Sequence, residues 1–251
     1  MYYIVLDLEF NQDFSDISVK EIIGHRYPFE IIQVGAVKLD FNLNIIGSFN
    51  RYVKPDIYNR VNPIITELTG ITSDMLVNEK QFSEVYNDFI EFVENPNSIL
   101  CTWGMSDIKE LYKNAIYYGL NMQLLPKMFV NLQPYASLHF KLPKKTQLRL
   151  KNVVEMLSIR IIDNFHDALN DSIYTAEVFK KIYNISIQPK IYDPSYIKPR
   201  TRQAKKIIDE DALIQQFEKM YNREMTKEEK AIIILAYKMG KTNQFLKISE
   251  V

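Results

Sequence analysis

Tyr2-Tyr3-Ile4-Val5-Leu6-Asp7-Leu8-Glu9-Phe10 reads as one β-strand, apolar until its far end, where it carries two carboxylates before Asn11 stops it. Residues two apart in a strand project to the same face. Asp7 and Glu9 therefore point together, and Tyr3 and Val5 make the earlier part of that face apolar. The acids stand at the C-terminal end of a buried strand, which is where α/β sheets hold their ligands. Taken alone, the pattern also describes a strand that simply ends and meets water. Two like charges so close disfavour each other unless a cation lies between them.

Working outward, Phe29–Asp40 and Ile45–Lys54 are further apolar runs, the second stopped by Pro55, and short turns join them as in a meander. The intervening loop Asn11–Pro28 is long and polar. Pro63–Leu76 reads as helical turns broken at Gly70. Gln81–Glu94 has helical spacing through Phe82, Val85, Phe89 and Phe92 and ends before Pro96. A short strand at Ser98–Thr102 is followed by a helix over Ser106–Tyr118, with Gly119 as its stop. A weak strand at Met128–Leu132 and amphipathic helices at Gln147–Leu157 and Ala168–Tyr183 follow. The order predicts an α/β fold with a mixed sheet. After Asn184 the composition changes. Ile187–Pro199 contains Pro189, Pro194 and Pro199 and reads as an extended linker. Helices are expected at Asp209–Tyr221 and Thr226–Met239, the latter with a Thr226–Glu229 capping box and a Gly240 stop. The predicted domains are 1–185 and a helical extension, 186–251.

Composition bounds the chemistry. The 251 residues carry 31 Lys and Arg against 31 Asp and Glu, with 47% hydrophobic residues, which excludes a disordered chain or a wholesale polyanion binder. One cysteine, Cys101, leaves no intrachain disulfide and argues against a thiolate zinc site. The longest apolar run near the C-terminus, Ala231–Tyr237, is far short of a membrane span, and Asp7 and Glu9 interrupt what would be a leader's apolar core. The expectation is a reduced, cytoplasmic setting without a membrane. Charge is uneven: residues 186–251 hold 13 Lys and Arg against 9 Asp and Glu. Leu138–Lys151, which includes Lys144 and Lys145, and Lys198–Lys206 each carry five cations and no anion. Such runs are commonly solvated surface, and they become polyanion-binding candidates only beside an active site.

Two more clusters could carry chemistry. Trp103-Gly104-Met105-Ser106-Asp107 follows the Ser98–Thr102 strand, with Ser106 placed as a helix N-cap and Asp107 in the first turn, where an acid also suits the helix dipole. In Phe165-His166-Asp167-Ala168-Leu169-Asn170-Asp171, His166 and Asp171 would lie roughly 140° apart on a regular helix. They converge only if His166 sits in the loop entering the helix and Asp171 on its core-facing side.

Together these three clusters resemble the DEDDh exonucleases of ribonuclease H-like fold. Asp7-x-Glu9 matches the first motif, Asp107 the second, and His166-x4-Asp171 the third. Glu30-Ile31-Ile32-Gln33-Val34-Gly35-Ala36 and Leu68-Thr69-Gly70-Ile71 are similar to the family's second strand and to its loop beside the terminal nucleotide. The Trp103-Gly104 pair resembles the Eri/KapD-like subgroup. The likeness covers roughly residues 1–183. It implies an α/β, ribonuclease H-like mixed sheet of about five strands flanked by helices.

The same resemblance implies a 3′–5′ exonuclease that releases 5′-nucleoside monophosphates from single-stranded RNA or DNA, RNA favoured, with two Mg²⁺ or Mn²⁺ ions. All-carboxylate ligation suits such hard cations. By resemblance Asp7 bridges both ions, Glu9 and Asp171 hold the ion on the nucleophile's side, Asp107 supports the other, and His166 is the general base. Leu8, Phe10, Leu68, Thr69, Gly70 and Trp103 would contact the 3′-terminal nucleotide, and Lys144 and Lys145 the phosphates. The alternatives are a non-catalytic nucleic-acid-binding module on the same fold and a proofreading exonuclease working with a DNA polymerase. Residues 186–251 are the candidate surface for a homodimer or a protein partner.

Overall fold

The computed structural model describes residues 2–12, 29–143, 146–184, 186–196 and 208–241. Lys144, Lys145, most of the Asn11–Pro28 loop and the whole Lys198–Lys206 strip lie outside the described residues.

The strand that carries Asp7 and Glu9, β1 (Tyr3–Asn11), lies inside a sheet. On one side it pairs antiparallel with β2 (Glu30–Leu39), which pairs antiparallel with β3 (Ile45–Tyr52). On the other it pairs parallel with β4 (Ile99–Thr102), and β4 pairs parallel with β5 (Met128–Asn131). A sixth strand, β6 (Lys190–Ile191), adds antiparallel to β5, so the order is β3-β2-β1-β4-β5-β6. The mixed α/β sheet is as expected, with six strands rather than about five. The extra strand comes from the segment read as linker, because the backbone around Lys190 finds the open edge of β5.

Helices α1 (Pro63–Thr69), α2 (Ser73–Leu76), α3 (Phe82–Val93) and α4 (Ser106–Tyr117) come before β5. Helices α5 (Gln133–His139), α6 (Leu150–Met156) and α7 (Ala168–Ile182) follow it. Strand alternation divides the core. Ile4, Leu6 and Leu8 join Phe89 of α3 and Leu111 of α4 on one face. Val5, with Tyr3 beside it, joins Tyr174, Val178 and Phe179 of α7 on the other. The short α5 lies where the sequence suggests no element, between the Met128–Leu132 run and the basic segment. Pro134 in its first turn is compatible with a helix start.

The described residues up to Tyr196 form one compact unit, and those from Ile208 belong to a second. The second unit contains α8 (Glu210–Tyr221) and α9 (Lys227–Lys241). The Thr226–Glu229 capping box is present: Thr226 N–H donates to Glu229 Oε2 at 2.9 Å, and Glu229 N–H to Thr226 Oγ1 at 3.2 Å. Gly240 does not stop α9, which continues to Lys241. Among the described residues no helix is long and apolar enough to cross a membrane.

Residues 187–192 are fastened to the first unit. Ile187 is buried, Tyr192 N–H donates to Lys127 O at 2.8 Å, and the Tyr192 ring lies 4.8 Å from Tyr112 and 6.0 Å from Phe129. Truncation after Asn184 is therefore expected to lower the melting temperature of the first unit by several degrees. Truncation after Tyr196, which keeps those contacts, is the reference for that fall. Thermal unfolding of the two truncated chains, followed by circular dichroism, checks this.

Candidate active site

Asp7 and Glu9 continue the face of β1 that packs on α7, so their carboxyl groups stand at the N-terminal end of that helix. The helix can come this close because Asp7 is registered opposite Gly35 of β2. A Cβ built on Gly35 would lie 2.0 Å from the Ala168 carbonyl carbon and 2.2 Å from the Leu169 nitrogen. Backbone atoms cannot yield as side chains do, so the residue beneath this helix must lack a side chain. Immediately beyond, the register shifts between Glu9 and Phe10, a bulge of the kind that re-aims residues beside functional sites.

Gln33 pins the same helix end. Fully buried, it donates through Nε2 to Asp167 Oδ2 at 2.8 Å and to Asn50 Oδ1 at 3.0 Å, and its Oε1 accepts from Ala168 N–H at 3.2 Å. Asp167 is the N-cap of α7, accepting from Asn170 N–H at 2.9 Å. His166 lies just before this cap, in the left-handed region at φ +66°, and is exposed. Its backbone N–H donates to Asp171 Oδ2 at 3.1 Å. The sequence condition for His166 and Asp171 to converge is thus met, with one in the entering loop and the other in the first turn.

Candidate ligand atoms of Glu9, His166 and Asp171 lie within 4.8 Å of one another. Asp107 reaches the same place from the opposite layer. It sits in the first turn of α4, buried, and its carboxylate accepts from Leu8 N–H, which ties it to β1. The N-cap of α4 is Met105 rather than Ser106. Asp7 senses the charges of Asp107, Glu9 and Asp171, so all four carboxyl groups share one neighbourhood.

Burial, followed by this mutual repulsion, pushes Asp7 well above the usual carboxylate range and Glu9 up to about 8. Burial likewise takes Asp107 to about 7, against the opposing backbone bonds, and Asp171 to about 6, against the His166 N–H. Asp171 Oδ1 is buried with no hydrogen-bond partner among the described residues. Crowded acids with an unpartnered oxygen fit a divalent cation, and a set dominated by carboxylate oxygens fits a hard one.

The expected substrate contacts divide. Leu8 is buried on the opposite face from Asp7 and Glu9, so its side chain belongs to the core and only its backbone reaches the site. Trp103 is half-buried, and its indole N–H donates to Leu148 O at 3.1 Å, which fastens the basic segment alongside the second motif. Phe10 lies against Phe29, ring centroids 6.0 Å apart. Leu68 is exposed at the end of α1. Gly70 closes that helix at φ +75°, and Thr69 Oγ1 accepts from Ile71 N–H at 3.1 Å. Gln33 and Asp167 were not foreseen as site residues. A lone amide in the apolar run Glu30–Leu39, and an acid immediately before a helix, are the signals that could have revealed them.

The profile of the Exonuclease family, RNase_T, matches residues 4–179. The chain belongs to this family. A PolC-type DNA polymerase III of Clostridium perfringens is 34% identical over 152 residues, covering 60% of this chain and 10% of the polymerase. The exoribonuclease ERI1 exoribonuclease 3 of Mus musculus is 27% identical over 190 residues, covering 72% of this chain and 53% of the relative. The chain thus spans about half the length of one of these relatives and a tenth of the other. The nuclease domain of 3′hExo, a DEDDh family member solved bound to rAMP, superimposes with a TM-score of 0.63 at 22% identity, over 76% of this chain and 96% of that domain. That likeness carries the fold, and the ribonuclease H-like expectation stands.

The raised carboxyl values have a consequence for stability. Each group holds its proton more tightly folded than unfolded, so the folded chain binds more protons than the unfolded one across this window. The contribution is full below the unfolded values near about 4 and is lost as pH rises through the folded values, up to about 8 for Glu9. Protein freed of divalent ions should therefore lose melting temperature between about pH 5 and about pH 8, and added Mg²⁺ or Mn²⁺ should restore it at the upper end. Calorimetric scans with and without chelator test this, and a metal-free melting temperature that rises across the window would contradict it.

Proposed function

We propose that this chain is a 3′–5′ exonuclease that removes 5′-nucleoside monophosphates from single-stranded nucleic acid, RNA in preference to DNA, with two Mg²⁺ or Mn²⁺ ions. The observation that carries the reading is the convergence of Glu9, His166 and Asp171 within 4.8 Å, at the strand end shared with Asp7 and Asp107. In this reading Asp7, Glu9 and Asp171, with Asp107 in support, would hold the ions. Bound divalent ions supply electrostatic stabilisation of the charge that builds on the attacking and leaving oxygens.

The chain's own groups do the rest. His166, exposed at the mouth of the acid cluster with its ring nitrogen beside Glu9 and Asp171, takes the proton of the attacking water. The bond from its backbone to Asp171 ties the loop that carries the ring to that carboxylate. Phe10 and Leu68 hold the terminal base by stacking and packing, and the basic segment after α5 attracts the phosphates.

The longer match, 190 residues against 152, is to an exoribonuclease and supports RNA. The higher identity, 34%, is to a DNA polymerase and supports a second reading, proofreading of DNA. The helices of the second unit, with Ile232 and Leu235 exposed, carry the proposed protein contact.

A time course on matched RNA and DNA, labelled at the 3′ or the 5′ end, with and without Mn²⁺, tests the proposal. A 3′ label should appear at once as mononucleotide, a 5′ label should shorten stepwise, and a circular single strand should stay intact. Endonucleolytic opening of the circle would overturn the reading. His166→Ala should lower kcat by about 10²–10⁴-fold while divalent-ion binding, measured by calorimetry, persists. Asp7→Ala should lose both.

A further inference from the structure

We infer that Tyr174 is a positioning residue for His166, acting through the loop that carries it; the inference rests on the reading of His166 as general base. Tyr174 lies on α7 three residues beyond Asp171 and is buried, yet its hydroxyl leaves the core to meet the entering loop. The oxygen accepts from Ile162 N–H at 3.1 Å and Asp163 N–H at 2.8 Å, and the O–H donates to Asp163 O at 2.6 Å. The Tyr174 ring lies 4.8 Å from Phe165, the residue before His166. Asn170 Nδ2 donates to Asn164 O at 3.2 Å. Downstream, Gln33 holds Asp167 and Ala168.

Each residue of the segment Ile162–Ala168 is thus tied to β2 or α7 by its backbone, its ring or its cap. Within it, His166 is the residue at positive φ. A non-glycine residue in the left-handed region persists where the surroundings over-determine it. The hydroxyl of Tyr174 binds three backbone groups three and four residues upstream of that point, where Ile162 and Asp163 are exposed. A tyrosine is needed because the ring must fill the core while its tip reaches polar backbone. The imidazole therefore approaches the acid cluster on a fixed mount, and freeing the loop costs proton transfer rather than folding or metal binding.

The test is a double-mutant cycle on the full chain. Tyr174→Phe keeps the ring and removes the three bonds. It should lower kcat by about 10–10²-fold, the size expected when a reacting group is misplaced by about 1 Å, with KM and divalent-ion affinity unchanged. In a His166→Ala background the same change should have no further effect on kcat, because the positioned group is gone. A fall in melting temperature with kcat unchanged, or the same fold-loss in both backgrounds, would overturn the inference. If His166→Ala alone leaves kcat intact, the general-base reading fails and this inference with it. If His166→Ala is severe and Tyr174→Phe is silent, only this inference fails. Asn170→Ala, which releases Asn164 by breaking an exposed bond, is the second variant, judged by the same criteria should Tyr174→Phe not fold.

Discussion

The site depends on a close approach between a helix and a strand. The backbone of Ala168 and Leu169 rests where a side chain on Gly35 would be, and Asp7 is registered directly opposite that glycine. Remove the space and α7 must lift, taking Asp171 and His166 away from Asp7 and Glu9. Van der Waals contact at this point converts a sheet register into a distance between carboxylates. Gln33, two residues earlier on the same face of β2, supplies the polar half of the joint. The strand thus grips the helix by shape at Gly35 and by hydrogen bonds at Gln33.

That joint brings together charges that repel. Glu9 at about 8 and Asp107 at about 7 are far from ordinary carboxylates, and burial is the first cause of both shifts. Such a cluster is unfavourable for folding near neutral pH and is relieved by cations. The core on both faces of β1 carries that cost, with Ile4, Leu6 and Leu8 on one side and Val5 on the other. Function and stability therefore pull against each other along one strand: its first half builds the core and its last half holds the acids.

Much of this was legible in the residues. The spacing Asp7-x-Glu9 put both acids on one face, the Pro63–Leu76 turns broke at Gly70, and the periodic helices appeared within a few residues of their expected limits. Short elements were not legible. The helix Gln133–His139 is seven residues long and showed no usable period, and β6 is two residues in a proline-containing stretch. Pairing energy for β6 comes from the neighbouring strand, so no local pattern announces it. Gly240 misled in the other direction, because a glycine inside a helical run costs little enough for the helix to continue.

The sequence by itself determined the identities and local geometry of the chemistry: two acids on one strand face, an acid in a first helical turn, and a histidine five residues before another acid. These follow from period and capping, which are properties of neighbours along the chain. Only the tertiary structure decided that Leu8 belongs to the core while Asp107, from another layer, accepts its N–H. It alone decided that Gln33 and Tyr174 hold the histidine's loop. The reason is physical: a buried amide or a phenol tip takes its role from partners 11 to 135 residues away along the chain, and hydrogen bonds across such separations exist only once the layers have packed.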